Sequence, residues 1–339
     1  MNAQRVSHTY SLIAALCFFT LFSTAAAVAA PPSQGVFEYV VEQVEGDFDA
    51  IAEAIETAAT AGGWQVLAVT DAGVDKDCSF RARVLLLLDL DYAAELVRAN
   101  PETGAFAAPD RINLFEDEAG THVSVVNPRS LNRTILMEDS ANEEMTEAHL
   151  GKLRAMILDV VPGTKSERQY GQIRDKGFIG KTMGVVAGGK FKDLIREVAS
   201  VDGGDLAEVA DKLEKGLAVT GKKWGLTLTH SVALPELNTY ILGTTGTPMD
   251  SKSFSIVGAG GDEARKEYEC PGNAYAAAYP IELVVTLEDG DVKVRIVEPM
   301  FRMKMYFEDA GKIAFMKNMK MPDSLAKELK KQVKKGLKG

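Results

Sequence analysis

The chain has 339 residues, with 38 Lys+Arg against 48 Asp+Glu, 46% hydrophobic residues and three cysteines. These proportions are typical of a globular protein and exclude a disordered acidic tail, a collagen-like fibre and a disulfide-dense miniprotein. The net charge of −10 argues against nucleic acid as a partner, because phosphate binding requires a basic surface. The length predicts about two domains.

Residues 1–29 have the pattern of a secretory signal peptide. The segment contains one charged residue, Arg5, then an apolar run over 11–28, and it ends in Ala27-Val28-Ala29, which fits the small-x-small cleavage pattern. A retained anchor is the alternative, since the run approaches the roughly 20 residues that span a bilayer. The alanine-rich end and the prolines that follow favour cleavage. We therefore expect a periplasmic or secreted protein with no stable membrane span once the signal peptide is removed.

The rest of the chain predicts strands mixed with a few helices. The pattern predicts a strand over 36–43, a helix over 47–61, strands over 64–70 and 81–90, a short helix over 92–99, a hairpin over 112–126 and a long helix over 141–160. A similar order begins again at Phe191 and ends in a helix from Ser324. Because the strands follow no regular βαβ alternation, the predicted fold class is α+β.

An internal repeat divides this region into two similar parts. The segments 46–64 and 204–224 each open with Gly-Asp and an apolar residue, continue with apolar residues at helical spacing, and end at one of the chain's two tryptophans. A hairpin with an acidic turn and a closing proline follows in both copies, near 116–128 and 288–299. The predicted organisation is a first domain over 36–161, a glycine-rich linker over 162–189 and a second, divergent domain over 190–339, packed as a pseudo-dimer.

Three segments of the first copy are distinctive. They are Gly46-Asp-Phe-Asp through Gly63-Trp64, Ala107-Ala-Pro109-Asp-Arg-Ile-Asn-Leu-Phe-Glu116 and Val125-Val-Asn-Pro128. Together they resemble the Domain of Unknown Function 302 family, over about 36–160 and more loosely over 190–335. The resemblance implies a TBP-like fold of a sheet and helices in each copy, and domains that pair. It also implies a cysteine directly after the proline of the proline-led strand, a position that Asp110 and, in the second copy, Ile281 occupy here.

Methionines are concentrated near the C-terminus, in two M-x-x-M-x-M patterns over 300–305 and 316–321. Thioethers are soft ligands that suit Cu(I), so Met303, Met305, Met316 and Met319 are candidate metal ligands. Core packing is the favoured interpretation, because methionine fills irregular gaps between apolar side chains. An extended segment over 300–307 would also turn only two of its three sulfurs, those of Met303 and Met305, to the same side.

Two cysteines, Cys78 and Cys270, remain after removal of the signal peptide. They do not occupy equivalent places in the two copies. A disulfide between them would link the two domains. It requires Cα atoms within about 7 Å of each other, and the sequence contains no pattern that predicts this proximity. Two separate thiols are the favoured prediction.

Three further patterns are interpreted as ordinary structure. Residues 184–190 superficially match a phosphate-binding loop, but Phe191 stands where Ser or Thr would hold Mg²⁺. His122, His149 and His230 have no second histidine or cysteine at ligand spacing. The lysine-rich tail over 317–338 predicts a closing amphipathic helix, with a membrane-surface helix as the alternative. The sequence thus predicts no cofactor and contains no catalytic signature.

These observations predict an exported protein, not an enzyme, that binds a small ligand in a groove under the helices or between the copies. A redox or Cu(I)-handling accessory protein, using Cys78, Cys270 or the methionines, is one alternative. A scaffold for an envelope protein complex is the other. A deep cavity with few charges would favour binding of an apolar ligand, and converging methionines would favour copper handling. A broad exposed apolar patch would favour the scaffold.

Overall fold

Two antiparallel β-sheets with helices packed against them form the described part of the chain. The computed structural model describes residues 32–137, 141–180, 188–258 and 268–339. The predicted signal peptide over 1–29 lies outside these residues, as does part of the glycine-rich segment 184–190. The combination of antiparallel sheets and helices confirms the predicted α+β class.

The described residues of the first half, 34–137 and 141–174, form seven strands and four helices. In chain order these are β1 (Gln34–Val44), α1 (Phe48–Ala61), β2 (Gln65–Asp71), β3 (Ala82–Leu88), α2 (Leu90–Ala99), β4 (Asp110–Asp117), β5 (Gly120–Val126), α3 (Pro128–Leu136), α4 (Glu143–Val160), β6 (Thr164–Lys165) and β7 (Gln169–Arg174).

The second half, residues 195–336, has a similar order of elements. They are β8 (Ile195–Val201), α5 (Leu206–Leu217), β9 (Thr227–Leu234), β10 (Thr239–Thr245), α6 (Thr247–Gly258), β11 (Ile281–Glu288), β12 (Asp291–Val297), α7 (Pro299–Phe307), α8 (Lys312–Lys317) and α9 (Lys320–Gly336). A 3₁₀ segment, Pro271–Ala278, precedes β11.

The strands of the two sheets follow corresponding orders. The first sheet runs β2-β3-β4-β5-β1-β6, with β7 also paired to β1, and the second runs β9-β10-β11-β12-β8. The first five strands of each half therefore have the same neighbours. Every pairing in both sheets is antiparallel.

The Gly-Asp pattern marks the start of a helix in both halves, as predicted. The Asp47 carboxylate accepts hydrogen bonds from the backbone N–H groups of Asp49 and Ala50, at 2.9 and 3.0 Å. The Asp205 carboxylate accepts one from the N–H group of Glu208, at 2.8 Å. Both aspartates thus cap helix donors that have no partner within the helix.

Side-chain alternation gives the first sheet two buried faces. Along β3, Leu85 and Leu87 pack in a core with residues of α1 and α4. Leu86 and Leu88, which point the opposite way, belong to a core that the first half shares with the second. The first sheet therefore has α1 and α4 on one face, and on the other it faces the core shared with the second half, in which α2 and α3 also pack.

A buried ion pair joins the two halves. Arg111 and Glu282 are the second residues of β4 and β11, and their side chains are only 3% and 4% exposed. The Arg111 guanidinium donates hydrogen bonds to the Glu282 carboxylate and to the Tyr306 hydroxyl. The Arg302 guanidinium lies 3.6 Å from the other Glu282 oxygen. This network satisfies charges that would be costly to bury alone.

Hydrogen bonds to the backbone of the 3₁₀ segment extend this contact. The Asn113 amide donates to the carbonyl oxygens of Asn273 and Ala274, at 2.9 and 3.0 Å. The Tyr170 hydroxyl donates to the Ala274 carbonyl at 2.6 Å. The two halves are therefore connected by polar contacts as well as by a shared apolar core.

Two helices that the sequence analysis did not predict follow the hairpins. α3 begins at Pro128, directly after Asn127, whose side chain accepts from the Arg129 N–H group at 3.0 Å. α7 begins in the same way at Pro299, after Glu298. Proline is favoured at the first position of a helix, because it has no N–H group to leave unsatisfied and its φ is already helical. The prolines interpreted as hairpin ends are helix starts.

The predicted linker contributes strands to the first sheet. β6 and β7 pair with β1, so residues 164–174 extend the sheet beyond the strands that the sequence analysis assigned to it. Both halves belong to one compact unit.

The lysine-rich tail forms α9, whose apolar stripe is buried. Leu325, Leu329 and Val333 are each at most 7% exposed, and the helix packs against α5 and α7. Among the described residues, no helix combines the length and the apolar character needed to cross a membrane.

We expect Arg111→Met to lower the free energy of unfolding by about 3–5 kcal/mol, because it leaves the Glu282 carboxylate buried without its closest partner. Adding Glu282→Leu should recover most of this loss, since apolar side chains can replace a buried ion pair. Urea denaturation measures both effects. Lys212→Met, which breaks an exposed ion pair with Glu208, serves as a control and should cost less than about 1 kcal/mol. A single Arg111 variant as stable as the control would contradict this account of the contact.

A second prediction concerns Asp250, which links the halves by accepting from the Gly73 N–H group at 3.1 Å. Burial raises the pKa of Asp250 to about 7. Between about pH 4 and 7 the native state therefore holds a proton that the unfolded chain has lost, so this contribution to stability falls as the pH rises. The free energy of unfolding of Asp250→Asn, relative to that of the wild type, should increase by on the order of 2 kcal/mol between pH 5 and pH 8.

Urea denaturation at both pH values measures the difference. Asp211→Asn, at an exposed position of α5, is the control and should show no such gain. If the free energies of unfolding of the wild type and Asp250→Asn differed by the same amount at both pH values, Asp250 would titrate at its ordinary pKa.

Candidate functional site

A cavity of about 120 Å³ lies between α3 and α4 in the first half. We call it the α3–α4 cavity. Its lining residues are Pro32, Gln34, Arg129, Asn132, Arg133, Asn142, Glu143, Thr146 and Glu147. For comparison, an engineered apolar protein cavity of about 150 Å³ holds one benzene molecule. The α3–α4 cavity therefore has room for a ligand of about that size.

Two arginines of α3 form the inner wall of the cavity. Arg129 donates to the buried Glu38 carboxylate and, at 3.3 Å, to Glu147 at the rim. Arg133 donates through Nη2 to Glu143, at 2.9 Å, and through Nη1 to the Pro32 carbonyl, at 2.7 Å. The inner wall is thus cationic and the rim is anionic.

A chain of polar contacts connects the cavity wall to the first sheet. The Asn132 amide donates to the Tyr92 hydroxyl at 2.6 Å and to the Thr146 hydroxyl at 3.0 Å. The Tyr92 ring stacks on the His149 ring, with the two centroids 3.5 Å apart. His149 Nε2 lies 2.8 Å from the Asp110 carboxylate.

Asp110 is the innermost residue of this series of polar contacts. Its carboxylate also accepts a hydrogen bond from Trp64 Nε1 at 2.9 Å. Because Asp110 begins β4 and Trp64 follows α1, these bonds fix α4 against the sheet and α1. Burial raises the pKa of Tyr92, so its hydroxyl stays protonated at neutral pH. The cavity wall is therefore held by buried, hydrogen-bonded side chains and is organised without a ligand.

The corresponding place in the second half has the opposite chemistry. A smaller cavity of about 30 Å³ lies between α7 and α9, and Ile281, Met303, Met321 and Leu325 are among its lining residues. Ile281 begins β11 as Asp110 begins β4, and Trp224 donates instead to the Ser324 hydroxyl of α9 at 3.0 Å. The polar chain from the sheet to the cavity is therefore a feature of the first half.

A match to a known family covers this polar half. Residues 40–159 match the model of Domain of unknown function DUF302. This DUF302 domain includes α3 and nearly all of α4, and so both walls of the α3–α4 cavity. It confirms the predicted family for the first copy. No curated protein matches the chain.

A solved structure of the same family is also similar to part of the chain. It is the crystal structure of an uncharacterized conserved protein DUF302 from Bacillus stearothermophilus, with 19% sequence identity over 36% of this chain and 97% of its own. The TM-score is 0.32.

The structure joins Cys78 and Cys270 in a disulfide, with Cα atoms 5.9 Å apart, whereas the sequence favoured separate thiols. The two cysteines lie 192 residues apart in the chain, on the loop before β3 and at the start of the 3₁₀ segment. Such long-range proximity depends on how the halves pack, and no local pattern encodes it.

The surroundings of the disulfide are acidic. Both cysteines line an open cavity of about 410 Å³ together with Asp75, Asp77 and Glu269. Hydrogen bonds from Ser79 lower the pKa of Glu269, which keeps a negative charge beside the sulfurs. Reactive cysteines need an electropositive environment that stabilises the thiolate. This environment suits a structural disulfide better than a catalytic dithiol.

The three groups Cys78, Glu269 and Cys270 have ligand atoms within 4.8 Å of one another. While the two sulfurs are bonded to each other, neither is a thiolate that could bind a metal ion. The disulfide and a metal site at this place therefore exclude each other.

The four candidate methionines occupy two different environments. The segment over 300–307 is the helix α7 and not an extended strand. Met305 is buried in the core, and Met303 lines the small apolar cavity of the second half. Met316 and Met319 are exposed. Residues two apart on a helix do not face each other, so the helix turns the sulfurs of Met303 and Met305 in different directions.

Sequence reasoning missed most residues of the α3–α4 cavity. It did not single out Arg129, Arg133 or Thr146. The available signal was Asn127-Pro128, an N-cap residue followed by proline, which would have indicated α3. No local sequence pattern predicts that α3 packs against α4.

Replacing both cysteines by serine should lower the free energy of unfolding by about 5 kcal/mol, because the disulfide closes a loop of 192 residues in the unfolded chain. Urea denaturation with and without a reductant measures this difference. The reductant should destabilise the wild type and leave the Cys78→Ser/Cys270→Ser variant unchanged. If the wild type were equally stable with and without the reductant, the disulfide would not stabilise the fold.

Proposed function

We propose that the protein is an exported, non-enzymatic protein that binds a small molecule in the α3–α4 cavity, and that its two halves are a tandem pair of DUF302-like domains. The observation that carries the proposal is a cavity lined by ordered, charged and amide side chains, most of which belong to the DUF302 domain. A pocket with a few convergent polar groups is the usual form of a small-molecule site.

Several features support the tandem organisation and the export. The five-strand order is the same in the two sheets, and an aspartate caps the first helix of each half. The leader-like pattern over 1–29 and a disulfide between distant cysteines both suit an oxidising compartment outside the cytoplasm. These two features together support the proposed periplasmic or secreted localisation.

The surroundings of the cavity favour binding over catalysis. Asp110 and His149 are hydrogen-bonded to each other beneath the wall, and both side chains are almost fully buried. Neither residue is among those that line the cavity. A ligand in the cavity would therefore meet arginine, amide and hydroxyl groups on the wall, and the two glutamates at the rim, Glu143 and Glu147, are engaged in ion pairs with the arginines.

The size of the cavity limits the ligand and its affinity. A molecule with about six non-hydrogen atoms fills a volume of this kind. The best small ligands gain at most about 1.5 kcal/mol per atom, so binding tighter than roughly the micromolar range is not expected. We expect a metabolite-sized ligand that exchanges readily.

Asn132→Met tests the site, because it replaces the polar wall residue with the methionine that lines the second-half cavity. A small-molecule library screened by thermal unfolding should yield compounds that raise the melting temperature of the wild type by mass action. The same compounds should stabilise the control variant Met303→Leu and fail to stabilise Asn132→Met. Compounds that stabilise all three proteins equally bind elsewhere, and a library that never stabilises the wild type would contradict the proposed function.

A further inference from the structure

We infer that the ligand of the α3–α4 cavity is a short-chain carboxylate, which binds Arg133 in place of the rim residue Glu143. This inference rests on the proposed function and names the ligand class for the same site. Three observations carry it: the charges on the cavity wall, the hydrogen-bonding state of Arg133, and the different exposure of the groups that now pair with the arginines.

The interior of the site has more positive than negative charge. The Glu38 carboxylate is fully buried, and both Arg129 and Arg154 donate to it. One buried carboxylate thus faces two guanidinium groups, of which Arg154 is also paired with the exposed Glu167 at 2.9 Å, and Arg133 adds a positive charge on the wall. In a chain with a net charge of −10, this is a local site where an anion is favoured.

Arg133 has unused hydrogen-bonding capacity on one edge. Its side chain is 7% exposed, and its Nε atom is buried with no hydrogen-bond partner among the residues that the structure describes. Nε and Nη2 lie on the same edge of the planar guanidinium group, and at present only Nη2 has a carboxylate partner. A carboxylate that bridges both atoms would satisfy the buried Nε–H group in a bidentate geometry.

The two glutamates that pair with the arginines of the cavity wall are at the solvent-exposed rim. Glu143 is 44% exposed and Glu147 is 58% exposed. Exposed ion pairs contribute little to stability, so either side chain can turn into solvent at small cost. A ligand carboxylate can therefore replace Glu143 while Arg133 stays in place.

The start of α4 adds to the preference for an anion. Asn142 is the N-cap residue of this helix of 18 residues, and its side chain makes no capping hydrogen bond. Asn142 and Glu143 both line the cavity. The free N–H groups of the first turn favour a negative charge next to them.

The volume of the α3–α4 cavity limits the size of the carboxylate that can bind. About 120 Å³ accommodates a molecule of about six non-hydrogen atoms, which corresponds to an acid with two to four carbons. Thr146 and Asn132, whose side chains are hydrogen-bonded to each other, line the cavity and would border such an acid.

The test is calorimetric titration of the full mature chain with sodium propionate, propionamide and inorganic phosphate, at constant ionic strength. Propionate should bind, and its neutral isostere propionamide should bind at least about tenfold more weakly, because it cannot form the charged bidentate contact. Phosphate should bind more weakly than propionate, because it has no apolar part to fill the cavity.

Two glutamates at the start of α4 provide a matched pair of variants. Glu143→Gln removes the competing carboxylate and should tighten propionate binding by about three- to tenfold. Glu144→Gln makes the same charge change at a residue that does not line the cavity, and it should alter binding by less than about twofold. Equal effects of the two variants would indicate only a general electrostatic field and would overturn the exchange mechanism.

Arg133→Gln should weaken propionate binding by at least about tenfold. Because a buried arginine can be needed for folding, Arg133→Lys is the second variant: it keeps the charge, lacks the Nε–Nη2 edge, and should show a similar loss. Unchanged propionate affinity in Arg133→Lys would overturn the bidentate contact.

The outcomes separate this inference from the proposed function. Propionamide binding as tightly as propionate, with both abolished by Asn132→Met, would overturn the carboxylate class and leave the cavity as the ligand site. Phosphate binding that depends on Arg133, without propionate binding, would replace the carboxylate with an inorganic oxyanion. If no probe bound and Glu143→Gln had no effect, the inference would be wrong, and the library screen alone would decide the proposed function.

Discussion

The buried contact between Arg111 and Glu282 fixes how the two sheets face each other, and the rest of the structure depends on that relation. Each residue is the second of its strand, so the pair also fixes which face of each strand points to the other half. In β4 the residue before Arg111 must then point to the helices, and it is Asp110. The same alternation that joins the halves therefore directs the polar chain towards the α3–α4 cavity.

The charges at this contact also bear on the tandem organisation that we propose. A pairing of two first halves would bring two arginines together, and a pairing of two second halves would bring two glutamates together. Either arrangement would bury like charges without partners, at a cost that the mixed pairing avoids. In this interpretation, divergence of the second half at one strand position makes the two halves complementary. The disulfide then adds a covalent link at another point of the same interface.

The two halves differ most at the cavity between their last helices. Arg129, Asn132 and Arg133 provide polar groups in the first half, whereas Ile281, Met303 and neighbouring apolar residues fill the corresponding place in the second. Burial of hydrogen-bonded polar groups is less favourable to stability than apolar packing, unless the groups are retained for another reason. This contrast agrees with a division in which the first half binds a ligand and the second half contributes stability.

The sequence by itself determined the fold class, most strands of the first copy, the Asp47 and Asp205 caps and the family of residues 40–159, because alternation, helical spacing and capping are properties of neighbouring residues. It missed α3 and α7, although a cap residue and a proline mark both starts. Only the tertiary structure brought Cys78 to Cys270, Arg111 to Glu282 and α3 to α4. These contacts join residues far apart in the chain, and their proximity results from the packing of whole sheets and helices, which no local pattern encodes.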